Sequence, residues 1–253
     1  MHKADRQRNL INLLSTNSVM SVSDLSQQLN FSIMTIRRDL EYLEQKGIVK
    51  KMHGGALLVR QETGQPSFYE RIEEFDKEKN EIGKAAAKMI NQGSIVFFDA
   101  GTTPLAVVKH IPDEIEFTAI TTGLMTAIVL CSKPKVNIIN IGGNIHPSSY
   151  SATNYLAIDL IKRFHADIAF ISTKAISINE GAFEAQLPLI EVKKAIVNAS
   201  KKVILLADHS KFISKSLCLS VPWEDIDTII TDSGVSADIV NILKNKGREI
   251  ILV

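Results

Sequence analysis

Residues 21–40 read SVSDLSQQLNFSIMTIRRDL, and the spacing of apolar and capping residues in this stretch decides the N-terminal fold. Ser21 followed three residues later by Asp24 makes a capping-box-like helix start, and Val22, Leu25 and Leu29 form an apolar stripe that ends at Asn30. Phe31 plugs a short turn. Ser32 caps a new helix on which Ile36, Leu40 and Leu43 recur at i, i+4 and i+7, facing inward until Gly47 stops it. Ile33, Met34, Thr35, Arg37 and Arg38 therefore point elsewhere. Upstream, Arg6 to Leu14 places Leu10, Ile11, Leu13 and Leu14 on one broad face, a first helix. Downstream, Ile48 to Met52 carries Lys50 and Lys51, and His53-Gly54-Gly55 supplies the tight turn of a β-hairpin.

Two helices separated by a short turn, the second presenting Thr and two adjacent Arg near its start, match the way a recognition helix enters the DNA major groove. Arg grips guanine in bidentate fashion or clamps a phosphate, and Thr contacts a base edge or a phosphate. The candidate DNA-binding residues are Ser32, Met34, Thr35, Arg37 and Arg38 on the helix and Lys50, Lys51 and His53 on a wing that follows the backbone. Three short helices and a hairpin equally describe a protein-binding or dimerisation module in which Arg37 and Arg38 are merely solvated. Charge leans towards nucleic acid: residues 1–60 hold nine Lys/Arg against five Asp/Glu, while the remainder holds 20 against 23.

The chain has 253 residues, 45% of them hydrophobic, which suits two domains with a substantial core. Cys131 and Cys218 lie far apart, with no CxxC pair or Cys/His cluster, so neither a disulfide framework nor a zinc site is implied. The start lacks the apolar stretch of a signal peptide and no apolar run reaches membrane-spanning length uninterrupted, so a cytoplasmic protein with no membrane partner is expected. No cofactor is implied. The sequence divides at a change of periodicity: a winged helix-turn-helix over 1–58, a linker over 59–72 that includes the polar VRQETGQPS, and a larger domain over 73–253.

In that larger domain, nearly continuous apolar runs alternate with helical stretches. The runs are Ser94–Asp99 (SIVFFD), Phe117–Thr121, Val136–Ile141, Ile168–Ile171, Val203–Ala207, Thr228–Ile230 and Glu249–Val253. This pattern gives an α/β class with a mostly parallel sheet covered on both faces. Asp99-Ala100-Gly101-Thr102-Thr103 follows the first run and precedes Pro104, a good first helical residue. Such a strand-turn-helix aims unpaired amides and the positive helix end at its guest, for which phosphate is well suited. Other strand ends carry Thr121-Thr122-Gly123, Gly142-Gly143, Ser172-Thr173-Lys174 and Asp208-His209-Ser210-Lys211, and in an open α/β sheet these ends are where ligands gather. Lys174, Lys193 and Lys211 are candidate anion partners. A capped turn without any ligand remains the plain alternative.

The string VSDLSQQLNFSIMTIRRDL, with Leu43-Glu44, Gly47 and H-G-G-A at His53–Ala56, closely resembles the DeoR family of repressors. The resemblance extends through D-A-G-T-T, the glycine pair, E-V-K at Glu191–Lys193 and A-D-H-S-K-F at Ala207–Phe212, and so covers the whole chain. It implies a winged helix-turn-helix joined to a domain resembling sugar-phosphate isomerases. It also implies a repressor of double-stranded operator DNA with a phosphorylated sugar or related metabolite as effector. By carry-over, Asp99, Gly101, Thr102, Thr103, Gly142, Gly143, Lys193, Asp208 and Lys211 surround the effector, and Thr122 and Lys174 join them from neighbouring strand ends. Ser172 and Ala175 stand where the family commonly has glycines and His146 where it commonly has arginine, so an unusual pocket is expected. Paired half-sites call for a homodimer or homotetramer. The competing reading is a sugar-phosphate isomerase-like enzyme with a fused reading head, using Asp99, Asp208, Glu191 and Lys211 as acids and bases.

Overall fold

The computed structural model describes residues 3–16, 19–52, 54–58, 68–213 and 216–253. The chain forms two compact units, Met1–Glu74 and Phe75–Val253.

The smaller unit begins with α1 (Lys3–Thr16) and β1 (Met20–Ser21), followed by α2 (Val22–Leu29) and α3 (Ile33–Gln45). The hairpin strands β2 (Val49–Met52) and β3 (Gly55–Leu58) come next. Leu10, Leu14, Leu25, Ile36, Leu40 and Leu43 are the inward residues of the three helices, and they share one core with Met20, Val49 and Ala56 of the strands. Each fully buried aliphatic side chain of this kind contributes about 1.5–3 kcal/mol. The hairpin pairs Val49 with Leu58 and Met52 with Gly55, and β1 adds a third strand against β3. The stretch 68–72, expected as the end of a linker, belongs instead to a helix, α4 (Phe68–Glu73). Phe68 is buried and Tyr69 packs on the head core, apolar anchorage that a polar linker lacks. His53 and the expected linker residues 59–67 lie outside the described residues.

The larger unit opens with α5 (Asp76–Ala87), β4 (Ile95–Phe98), α6 (Thr102–Lys109), β5 (Phe117–Thr121), α7 (Leu124–Leu130) and β6 (Val136–Asn140). A small hairpin, β7 (Asn144–His146) and β8 (Ser151–Thr153), leads into α8 (Tyr155–Ile161) and β9 (Ala166–Ile171). Then come β10 (Ala175–Ser177), β11 (Gly181–Glu184), α9 (Leu187–Asn198), β12 (Ser200–Leu206), a 3-10 turn (His209–Ile213) and β13 (Cys218–Pro222). The chain closes with β14 (Thr228–Thr231), α10 (Ala237–Asn245) and β15 (Glu249–Leu252).

Seven strands form one sheet in the order β15-β14-β12-β9-β4-β5-β6, and every pairing in it is parallel. Alternation along β4 explains its uninterrupted hydrophobicity. Phe97 enters one core with Val192 and Ile196 of α9, while Val96 and Phe98 enter the other with Ile82 of α5 and Val107 of α6. Both faces are covered, so polar residues have no place on either. The order also reverses at β4: the chain builds outward through β5 and β6, then returns to the other flank of β4 with β9 and builds through β12 to β15. A crevice at the carboxyl ends of the strands belongs at this reversal, between β4 and β9. Beside the main sheet, β10, β11 and β13 make a three-stranded antiparallel sheet.

Candidate functional site

The reading helix is fixed at its start and at its back. Ser32 Oγ accepts the Thr35 amide at 3.2 Å and lies 2.9 Å from the Thr35 hydroxyl, which caps α3 as its sequence requires. Asp39, buried on the inner face, takes the Arg6 guanidinium at 2.5 Å and the Gln7 side-chain amide at 2.9 Å, both from α1. The same guanidinium lies over the Phe31 ring, 4.9 Å from its centroid. One arginine thus ties the inter-helix turn and the recognition helix to α1. Ser32, Met34, Arg37 and Arg38 are exposed and Thr35 is half-buried, so α3 offers the expected residues on its outer face.

A groove of about 320 Å³ runs between α3 and the hairpin, lined by Ile33, Arg37 and Glu41 on one side and Lys51, Met52 and Gly54 on the other. Lys50 is exposed on β2. Lys51 is engaged: its ammonium lies 3.4 Å from Glu44 and 3.6 Å from Glu41, and its amide donates to Glu44. Two acidic partners reduce what Lys51 can offer a phosphate. His53 falls outside the described residues.

In the larger unit, the closest gathering of predicted residues is at the reversal of strand order. Asp99 follows β4, and its Oδ2 accepts the Ser172 amide at 3.1 Å, the Ser172 hydroxyl at 3.2 Å and the Lys193 ammonium at 2.8 Å. Lys193, on α9, also donates to the Ser172 carbonyl and lies 3.5 Å from Glu184. Burial alone would lower the Lys193 pKa, yet the charges of Asp99 and Glu184 more than offset it and hold the ammonium above the ordinary lysine value. Asp99 Oδ2 and Lys193, both engaged by protein groups, therefore join the loops that follow β4 and β9 to α9. Gly101 caps α6 with extended backbone, and a Cβ there would collide with Ser172 Oγ. The glycine is needed for this close approach of loop to loop.

The other predicted residues line the same edge. Thr102 is half-buried and Thr103 buried at the start of α6, whose cap residue contributes no side-chain hydrogen bond. Thr122, after β5, is fully buried and its hydroxyl lacks a hydrogen-bond partner. Its carbonyl accepts the Ala152 amide at 2.8 Å, which lays the β7–β8 hairpin beside it. Gly142 and Gly143 are exposed where that hairpin begins, and Lys174 is half-buried with its amide bonded to Phe183. Asp208, fully buried after β12, accepts the Ser210 amide at 3.1 Å through Oδ1, while its Oδ2 lies 3.8 Å from Lys211 and has no hydrogen bond. Glu191 stands on the exposed side of α9 paired to Lys194 at 3.1 Å, away from these groups. Sequence reasoning missed the anchors Arg6 and Asp39 in the smaller unit and Glu184 in the larger, and it gave Ser172 no part as a partner of Asp99. Arg6 and Ser172 act through partners distant in sequence, which periodicity does not reveal. Among the described residues, no group of three or more His, Cys, Asp or Glu is placed to hold a metal ion, and no helix is long and apolar enough to cross a membrane.

Comparison with known proteins gives these features a family. Residues 6–62 match the DeoR-like helix-turn-helix domain, and residues 74–233 match the DeoR C terminal sensor domain. The chain is 34% identical over 247 residues to the HTH-type transcriptional regulator GolR of Listeria innocua, covering 98% of this chain and 97% of that protein. It is 28% identical over 253 residues to the glycerol-3-phosphate regulon repressor of Haemophilus influenzae, covering 100% of this chain and 98% of that protein. Among solved structures, a ribose 5-phosphate isomerase from Methanocaldococcus jannaschii superposes with a TM-score of 0.40 at 14% identity, over 55% of this chain and 56% of that one. With both domains matched and a relative aligned from end to end, the chain belongs to the DeoR family of HTH-type transcriptional regulators.

Proposed function

We propose that this chain is a cytoplasmic transcriptional repressor, without enzymatic activity, whose affinity for operator DNA is set by a phosphorylated sugar or related metabolite. One observation carries the reading: Arg37 and Arg38 stand exposed on a helix whose capped start and buried Asp39 leave it little freedom to reorient. A preorganised helix of this kind delivers Arg37, Arg38, Thr35 and Met34 to a major groove while Lys50 follows the backbone. Two reading heads in a homodimer or homotetramer would engage paired half-sites.

The effector is assigned to the carboxyl edge of the parallel sheet. Asp99 and Lys193 brace the strand ends, and the amides at the start of α6, the hydroxyls of Thr102, Thr103 and Thr122, and Lys174, Asp208 and Lys211 are assigned to an anion and its hydroxyls. Gly142 and Gly143 give backbone access on the β6 side. Of the acids and bases an isomerase-like reading would use, Asp99 is engaged through Oδ2 by three donors and Glu191 is paired at the surface, and the relatives are named as regulators, which together favour the non-enzymatic reading.

The test is fluorescence anisotropy of the full chain on duplex DNA enriched from a random pool, followed by titration with a panel of sugar phosphates. The reading expects salt-sensitive, sequence-preferring binding that at least one sugar phosphate changes, and no turnover of that compound. Absence of sequence preference at every salt concentration overturns it.

A further inference from the structure

Phe75, the first residue of the larger unit, adopts left-handed backbone angles, φ 52 and ψ 38, as the residue preceding α5. A bulky aromatic residue in this region is an outlier, and such a conformation persists only where the surroundings over-determine it. What holds Phe75 is visible. Its ring stands edge-on to the imidazole of His209, with centroids 5.1 Å apart and planes at 84°, and its carbonyl accepts the Lys79 amide at 2.9 Å.

His209 is itself clamped. Its amide donates to Asp232 Oδ1 at 2.7 Å, and its Nδ1 lies 2.8 Å from Asp232 Oδ2. A carboxylate only accepts, so Nδ1 carries the proton. Gly234 comes so near that a Cβ there would lie 2.6 Å from both Cγ and Nδ1 of His209 and 2.7 Å from Asp232 Oδ2. The ring is thus held by Asp232 and crowded by Gly234 while it touches Phe75, so a displacement of the turn that carries it disturbs the Phe75 contact. That turn, His209–Ile213, includes Lys211 and directly follows Asp208, two residues assigned above to the effector.

On the other side of Phe75 the chain is tied to the reading head. Within the smaller unit, Glu73 of α4 pairs with Arg8 of α1 at 2.5 Å, and Tyr69 packs on the head core. Glu74 alone separates this anchored helix from Phe75. A change in the dihedral angles of Phe75 re-aims the helix before it.

We infer that the Phe75–His209 ring contact is the link through which occupancy of the 208–211 turn reaches the DNA-reading head. The inference rests on the repressor reading, whose effector site it connects to the reader. The strained backbone of Phe75 supplies the two-state element: held by the imidazole it stays left-handed, and released it relaxes towards commoner angles.

The test needs no effector. A duplex enriched from a random pool by the wild-type full chain is titrated with wild type, Gly234→Ala, Phe75→Gly and the double variant. Gly234→Ala intrudes on the imidazole and on the Asp232 carboxylate that clamps it, displacing the ring from its place beside Phe75, and operator affinity is expected to change by at least about fivefold, the low end of ordinary allosteric couplings. Phe75→Gly, which loses the ring and with it the hold of the imidazole, is expected to shift affinity itself and to leave Gly234→Ala with no further effect in the double variant. If Gly234→Ala yields no folded chain by thermal unfolding, His209→Ala removes the same contact from the opposite side, and its affinity change should likewise vanish in the Phe75→Gly background. Wild-type affinity in the folded ring-perturbing variant, or a shift added to that of Phe75→Gly in the double variant, overturns the inference while leaving the repressor reading intact. A wild-type chain that enriches no duplex overturns both.

Discussion

Ser172 Oγ occupies the space that a Cβ on residue 101 would need, so the loops following β4 and β9 are in contact. Gly101→Ala should therefore overpack this junction and destabilise the chain by about 1–3 kcal/mol. Ser172→Gly should restore most of that loss in the double variant. A double-mutant cycle from urea unfolding reads the coupling, and additive single effects would show that the loops yield independently.

Lys193 and Asp99 form a pair buried from water, with Glu184 nearby. Lys193→Met leaves the Asp99 carboxylate without its charge partner, and the expected cost is about 3–5 kcal/mol. Adding Asp99→Asn removes the stranded charge, so the double variant should be more stable than Lys193→Met alone. Denaturant midpoints decide between this and a pair that contributes only packing.

The exposed arginines of α3 should separate by salt dependence. Arg37→Ala and Arg38→Ala are expected to leave the melting temperature unchanged and to weaken duplex binding. Loss of a phosphate contact flattens the log–log salt slope by about 1, whereas loss of a bidentate base contact costs about 1–3 kcal/mol and relaxes preference at one position. Asp39→Asn gives a different pattern, weaker binding together with a less stable head, because it releases the helix from Arg6.

Asp167 caps the far end of the sheet, accepting the Ile95 amide at 3.0 Å and the Lys201 ammonium at 2.9 Å. The amide first and Lys201 second hold its carboxyl below the usual aspartate range. A depressed folded pKa means that the stabilisation is present above the unfolded pKa and is lost as pH falls through the folded one. Asp167→Asn should thus be less stable than wild type at pH 7, by about 1 kcal/mol or less since water screens a half-exposed pair. The gap should close as the pH drops below the ordinary aspartate value of about 3.9. Urea midpoints measured across that range test the sign.

The parts legible from sequence were those with a period. The caps at Ser21 and Ser32 and the stripe Ile36-Leu40-Leu43 announce the reader, and SIVFFD announces a strand buried on both faces. The small antiparallel sheet was not foreseen, because Ala175–Ser177 and Gly181–Glu184 are too short to show alternation. Lys193 was read as an anion partner and Asp99 as one of the groups around the effector. The fold brings them to each other across 94 residues, a pairing set by the route of the chain between β4 and α9. Phe75 carries no sequence signal of its left-handed backbone, and the histidine its ring touches lies far along the chain.

The position of β4 at the reversal of strand order also governs how the protein can be made. Its first flank is covered as soon as β5 is synthesised, but its second waits for β9, whose Ile168 and Phe170 pair with Val96 and Phe98. The reading head draws its core from the first 58 residues with one further contact from Tyr69, so it can emerge from the ribosome and fold while the centre of the sheet is still unfinished. Nascent chains should consequently pass through an interval in which the head is complete and the larger domain is not, with Phe97 exposed to chaperones until α9 has been released.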